Sequence, residues 1–184
     1  MEQDKDINIL AISGSIREGS YNTALLRSAM ELAPANMQIQ LYDALACLPH
    51  FDPLLANSQM PAVVKALRNR LQEADGVIVS TPEYAYGIPG VLKNALDWVV
   101  ASGELVLKPV VVTSVSTSEL GGARAHYALV TVLHAMNANV VVEGSMNVPF
   151  AGSKFNSHGV LEDGLTREAL GVSLRVLGEG VQQL

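Results

Sequence analysis

The 184 residues are 49% apolar and 16% charged, which is too hydrophobic and too weakly charged for an intrinsically disordered chain. Twelve basic against eighteen acidic side chains leave a net charge of −6, a poor field for gripping nucleic acid or an anionic membrane. The single cysteine, Cys47, excludes an intramolecular disulfide and a multi-cysteine metal site, and it suits a reducing compartment.

The length suits one domain spanning residues 1–184. The start, Met1 to Asp6, carries Lys5 among three acidic residues and leads into a short apolar run, without the basic start and longer apolar stretch expected of a signal peptide. The longest stretch without Asp, Glu, Lys or Arg, 125–142, carries His126, Tyr127, Thr131, His134, Asn137 and Asn139, too polar to span a membrane. The expectation is a cytoplasmic protein.

In chain order, Ile7–Ser13 is a short apolar run ending at Gly14 and reads as a buried strand. Tyr21–Leu32 reads as a helix that stops before Pro34, and Met37–Tyr42 as a second strand. Residues 43–59 form a long connection with Pro49 and Pro53. Pro61–Ala74 reads as a helix with proline at its first position, where the missing N–H costs nothing. Val77–Ser80 is a third strand, Val91–Ser102 a third helix, Pro109–Ser114 a fourth strand and Gly122–Met136 a fourth helix. Ala138–Val142 reads as a fifth strand and Thr166–Val181 as the last helix. Apolar strands separated by helices predict an α/β fold with a parallel sheet and helices on both faces. In such sheets ligands bind beyond the carboxyl ends of the strands.

Three unusual loops fall at those ends. The first, 14–22, holds Gly14 and Gly19 for tight turns, Ser15, Ser20 and Asn22 as side-chain donors, and Arg17 as a fixed positive fork. The helix starting near Ser20 adds free N–H groups and a partial positive charge, a set that suits a phosphate monoester. The spacing is neither a Walker loop nor a dinucleotide fingerprint, and a plain strand–helix turn capped by Ser20 or Asn22 is the other reading. The second loop, 81–90, has two prolines and two glycines fixing its path, with Tyr84 and Tyr86 to grip a flat ring or to pack on a neighbour. The third, 114–122, offers hydroxyls and the small pair Gly121 and Gly122, with room for a ring or for backbone.

The run Gly14-Ser15-x-Arg17-x-x-Ser20-x-Asn22, followed by Pro82-Glu83-Tyr84-x-Tyr86-Gly87-Ile88-Pro89-Gly90 and then Leu92-Lys93-Asn94-Ala95-Leu96-Asp97-Trp98, resembles the NADPH-dependent FMN reductase family, which includes quinone, chromate and azo-dye reductases. The resemblance implies a flavodoxin-like three-layer sandwich around a five-stranded parallel sheet of order 2-1-3-4-5. It implies noncovalent FMN, with Ser15, Arg17, Ser20 and Asn22, beside Tyr21, at the phosphate. It places Pro82, Glu83, Tyr84, Ala85, Tyr86 and Gly87 near the isoalloxazine, with Ser116, Gly121 and Gly122 on the opposite rim. Two departures stand out: Ala85 replaces the family's usual Asn, and Thr117 and Ser118 replace smaller residues.

The chemistry would lie on FMN, with NADPH or NADH as hydride donor and ping-pong transfer to a quinone, flavin, chromate or azo acceptor; no side chain is assigned as catalytic. The four histidines are scattered without metal-site spacing, Asp97 is expected to cap or pair locally, and Cys47 reads as a small buried apolar side chain. On the helical wheel the apolar residues of 91–102 cover an arc of about 200°, wider than one sheet face needs. With the weakly charged outer face of 122–136, this predicts a homodimer or homotetramer through those two helices. The alternatives are a non-enzymatic flavodoxin-type electron carrier and a flavin-free module on the same fold.

Overall fold

A computed structural model describes residues 6–57 and 59–183. Its elements are β1 (Ile7–Ser13), α1 (Tyr21–Leu32), β2 (Met37–Tyr42), α2 (Pro53–Asn57), α3 (Ala62–Glu73), β3 (Gly76–Thr81), α4 (Gly90–Val99), β4 (Pro109–Val115), α5 (Ala123–Ala135), β5 (Asn139–Val140), β6 (Met146–Val148) and α6 (Gly164–Gln182). The sheet is parallel in the order β2-β1-β3-β4-β5, the flavodoxin-like order. Strands β3 and β4 are buried along their whole length, as continuous apolar runs between two helical layers must be.

Alternation along the strands divides the core in two. Leu10, Ile12, Val77, Val79, Val110 and Val112 face α3, α4 and α5. Ile7, Ile9, Ala11, Ile78 and Val111 face α1 and α6. Register aligns Ser13 with Ser80 and Thr81 with Ser114, so the loops after β1, β3 and β4 leave the sheet side by side.

The edge of the sheet differs from expectation. In place of one fifth strand at 138–142, only Asn139–Val140 pairs with β4, and a sixth strand, β6, pairs with β4 further along. Between them the chain turns through Val142–Gly144, and Ser145 supplies what the ladder lacks: its Oγ accepts from the N–H of Val112 at 3.1 Å. The turn is tight because a Cβ at Gly144 would lie 2.8 Å from Val111 Cγ2.

Three smaller differences follow from tertiary contacts. Pro61 is the N-cap of α3 and not its first residue, and α4 ends at Val99. Cys47 is exposed on a short 3-10 turn and not buried. Most of the wide apolar arc of α4 is covered inside the subunit: Leu92, Ala95, Leu96, Trp98 and Val99 are buried, while Val100 is 48% exposed. The long connection achieves this by lying across the helix. Trp98 Nε1 and Asn94 Nδ2 both donate to the Pro49 carbonyl, at 2.8 and 2.9 Å, and Phe51 sits edge-on to Trp98 at 5.2 Å. Asp97 pairs with Lys93 one turn away, as expected.

Helix α6 starts two residues earlier than its periodicity suggests, because Asp163 caps it. The carboxylate accepts from the N–H and the hydroxyl of Thr166 and from Lys154. The Thr166 and Lys154 hydrogen bonds lower its pKa from 3.8 to about 2. A carboxyl depressed in the folded state stabilises above its unfolded pKa, and that contribution fades as pH falls through the folded value. Asp163→Ala should therefore melt below the native protein at pH 7, the gap closing between about pH 4 and pH 2; thermal melts across that window check this, and a constant gap would refute it.

Candidate active site

The first loop leaves β1 through Gly14, whose N–H donates to the Ser80 carbonyl at 2.7 Å and where a Cβ would lie 2.9 Å from Leu92 Cδ2. A side chain there would have to displace the end of the buried Leu92 side chain. Ser13 Oγ braces the turn against Thr23 Oγ1 at 2.8 Å, and the Arg17 N–H donates to Ser15 Oγ at 3.3 Å. Ser20 is the N-cap of α1 and is largely buried, yet its hydroxyl makes no capping bond. The first helical bond is Ala24 N–H to Ser20 O, so the amides of residues 21–23 have no partner within the helix. Arg17 is exposed, and no carboxylate lies within 4.0 Å of it among the described residues.

These groups border a cleft of about 500 Å³ lined by Ser15, Arg17, Ser20, Tyr21 and Asn22, with Tyr84 and the end of β4 completing it. Tyr21 is fixed against Phe155, ring centroids 5.2 Å apart. Asn22 differs from expectation. Its side chain is a buried staple: Oδ1 accepts from Ser80 Oγ at 2.9 Å and Val115 N at 3.1 Å, while Nδ2 donates to the Val115 carbonyl at 3.1 Å. It ties α1 to β3 and β4, and its backbone amide, not its carboxamide, is what remains open to an anion.

The second loop is a two-residue hairpin. Tyr84 and Gly87 exchange both backbone hydrogen bonds, at 3.1 and 3.0 Å, and Ala85 and Tyr86 between them have φ of 49° and 64°. Positive φ at both central positions is the type I′ pattern, which favours Asn or Gly at its first centre. Ala85 carries the steric cost of that conformation without the polar side chain that offsets it. Ala85→Asn should raise stability by about 1 kcal/mol; an unchanged or lower melting midpoint would contradict this reading of the turn.

The other members of this loop divide by role. Tyr84 is 53% exposed on the cleft. Tyr86 lies beneath the Arg124 guanidinium, 4.0 Å from its ring centroid. Glu83, expected near a ligand ring, has its carboxylate turned to the N-terminus of α5, accepting from the N–H groups of Arg124 at 2.9 Å and Ala125 at 3.0 Å. It binds the second loop to the third by serving a helix that has no capping side chain of its own. Pro82, Ala85, Tyr86 and Gly87 support this bend and do not line the cleft.

In the third loop Ser116 reaches the cleft, and its Oγ also accepts from the Ser118 N–H at 3.1 Å. Gly121 and Gly122 have φ of 61° and 82°, but the close approach they permit is to protein. A Cβ at Gly121 would meet Pro149 N at 2.9 Å, and one at Gly122 would meet Ser114 Cβ at 3.3 Å. Val115 and Thr117, absent from the expected ligand set, line the cleft. The 148–151 segment, with no distinctive sequence signal, closes behind the loop: Ser116 N–H donates to Val148 O, and the N–H groups of Phe150 and Ala151 donate to Ser118 O and Ser116 O.

Open amides at a helix start, a hydroxyl with no protein partner and an unpaired arginine fit a phosphate monoester. The cleft volume lies in the range of small-molecule sites, and exposed Tyr84 lies at its edge. The model of the NADPH-dependent FMN reductase family matches residues 7–153. The chain belongs to that family. It is 34% identical over 181 residues to an NAD(P)H-dependent FMN reductase of Pseudomonas aeruginosa, covering 97% of each chain. It is likewise 34% identical over 187 residues to a quinone reductase of Escherichia coli, again with 97% of each covered. An NAD(P)H:quinone oxidoreductase of Solanum tuberosum is 33% identical over 180 residues, covering 93% of this chain and 91% of that one. Among solved structures, FerB, a flavoenzyme NAD(P)H:(acceptor) oxidoreductase from Paracoccus denitrificans, matches the fold with a TM-score of 0.87 at 24% identity, covering 96% of this chain and 98% of that one. Set against this family's usual Asn after the Pro-Glu-Tyr triplet, Ala85 removes a residue suited to left-handed backbone as well as a polar contact.

Proposed function

We propose that the protein is an FMN-dependent NAD(P)H oxidoreductase that passes reducing equivalents to quinones or similar small acceptors. The observation that carries this reading is the cleft, in which the uncapped start of α1 and unpaired Arg17 share one space with exposed Tyr84. Membership of the FMN reductase family supports it. Bound FMN supplies the hydride chemistry. The chain's own groups bind and orient it: Arg17, Ser15, Ser20 and the open amides of α1 hold the phosphate, while Tyr84, Ser116 and Thr117 border the ring. Asn22 and Glu83 act one layer further out, fixing the three loops relative to one another. The exposure of Tyr84 leaves an open side for a flat acceptor, so stacking geometry sets the rate.

Anaerobic mixing of the FMN-loaded protein with NADPH should bleach the flavin spectrum, and a quinone added afterwards should restore it. Absence of bleaching with either nicotinamide would overturn the reading in favour of a one-electron carrier. We further infer a homodimer, or a homotetramer built on it, through the helices of 91–102 and 122–136, where Val100 is 48% and Tyr127 75% exposed. A monomer mass by light scattering at micromolar concentration would refute that. A cytoplasmic location completes the proposal: exposed Cys47 suits a reducing compartment, and no described helix is long and apolar enough to cross a membrane.

A further inference from the structure

The bend that presents Tyr84 to the cleft is built against its own backbone preference. Among the described residues five non-glycines have positive φ, and only Ala85 and Tyr86 are consecutive. Both bear the steric cost of left-handed backbone, and neither is the Asn or Gly that a type I′ turn favours. Tyr84 and Gly87 close the turn with two backbone hydrogen bonds. Tyr84, Ala85 and Tyr86 are all exposed, so water can take over those bonds when the turn opens.

What opposes opening is a single residue at the start of α5. The Arg124 N–H donates to the Glu83 carboxylate at 2.9 Å, just before the turn. Its guanidinium lies on the Tyr86 ring, 4.0 Å from the centroid, within the turn. Residue 124 therefore grips the bend on both sides of Tyr84 and Ala85. The guanidinium has no carboxylate within 4.0 Å among the described residues. Glu83 does not compete with the ring, because its carboxylate serves the backbone N–H groups of Arg124 and Ala125. A planar, weakly hydrated cation is the charge best suited to lie on an aromatic face.

We propose that Arg124 is a positioning residue for the flavin ring: by clamping Tyr86 it keeps the 84–87 turn formed, and so keeps Tyr84 on the cleft, in a chain whose position 85 lacks a turn-favouring residue. The inference rests on the reductase reading above. Arg124 does not line the cleft, so it acts through the bend. When the fraction of molecules with a formed bend falls, the apparent Kd for FMN rises in inverse proportion. A residue at position 85 that favours left-handed backbone makes the clamp redundant.

A double-mutant cycle tests this. Arg124→Ala should raise the Kd for FMN by about 2- to 5-fold, the size of an exposed cation–π contact, and Arg124→Lys should recover part of the loss. In the Ala85→Asn background the same Arg124→Ala change should leave the Kd nearly unaltered. Melting midpoints of the flavin-free protein should couple in the same sense, the drop caused by Arg124→Ala being smaller once Ala85→Asn is present. A loss of affinity equal in the two backgrounds would overturn the proposal, and would give Arg124 a direct charge effect on flavin or a part in subunit contact. A Kd that Arg124→Ala leaves unchanged would overturn it too. Uncoupled affinities in a protein whose bound FMN is bleached by NADPH would remove the clamp and leave the reductase reading intact. Coupled midpoints in a protein that binds no FMN would overturn that reading, and the positioning role with it, leaving only a stabilised turn.

Discussion

Arg68→Ala is expected to destabilise the protein by about 3 kcal/mol. Glu104 has a side chain that is 0% exposed, and its carboxylate is held by Arg68 Nε at 2.5 Å and Ser102 Oγ at 2.5 Å. Removing the guanidinium leaves a buried charge with one hydroxyl for company, the situation in which loss of a partner costs most. Arg68 itself is 26% exposed, so water reaches part of the gap and the lower end of the usual range applies. For a chain of this length the midpoint should fall by roughly 6–12 °C. The pair joins α3 to the turn leading into β4, where Lys108 also caps α3 on the carbonyls of Leu71 and Ala74. Replacing both partners with apolar residues of similar size should recover much of the loss. A shift under 1 kcal/mol in denaturant melts of Arg68→Ala would show that water solvates Glu104 after all.

Arg17→Ala is expected to raise the Kd for FMN by about 10- to 100-fold, the value of one charge-assisted contact to a phosphate. Because Arg17 is exposed and makes no ion pair within the protein, its melting midpoint without flavin should not move. That separates a ligand contact from a structural one. Ser20→Ala should cost less, about 2- to 10-fold, as a neutral donor. Quenching of FMN fluorescence reports both, and raised salt should weaken binding to the native protein more than to Arg17→Ala. Equal affinities would remove Arg17 from the phosphate site.

Where the information is local, the chain is transparent. β1, α1 and β2 match their expected bounds residue for residue, because each is an apolar run or a periodic stretch closed by Gly, Pro or a capping residue. The edge strand is the counter-example: 138–142 has the composition of a strand, but Gly144 and Ser145 reshape the ladder through contacts with Val111 and Val112. Much of the apolar arc of α4 is covered in the same way by a distant segment, the chain's own 43–59 connection anchored through Pro49, while Val100 at its end stays exposed.

The candidate site divides along the same line. That three loops rich in Gly, Ser and Tyr share one sheet edge, and that Ser15, Arg17 and Ser20 suit a phosphate, follows from residue type and the α/β alternation alone. Which polar groups remain available to a ligand is decided only in three dimensions. A carboxylate or carboxamide binds whichever partner the fold brings within about 3 Å. Asn22 is spent on β3 and β4, and Glu83 on α5, while Ser20 and Arg17 are left free. Side-chain chemistry is a property of the chain; vacancy at a hydrogen-bonding atom is a property of its neighbours, and those come from residues 41 to 93 positions away.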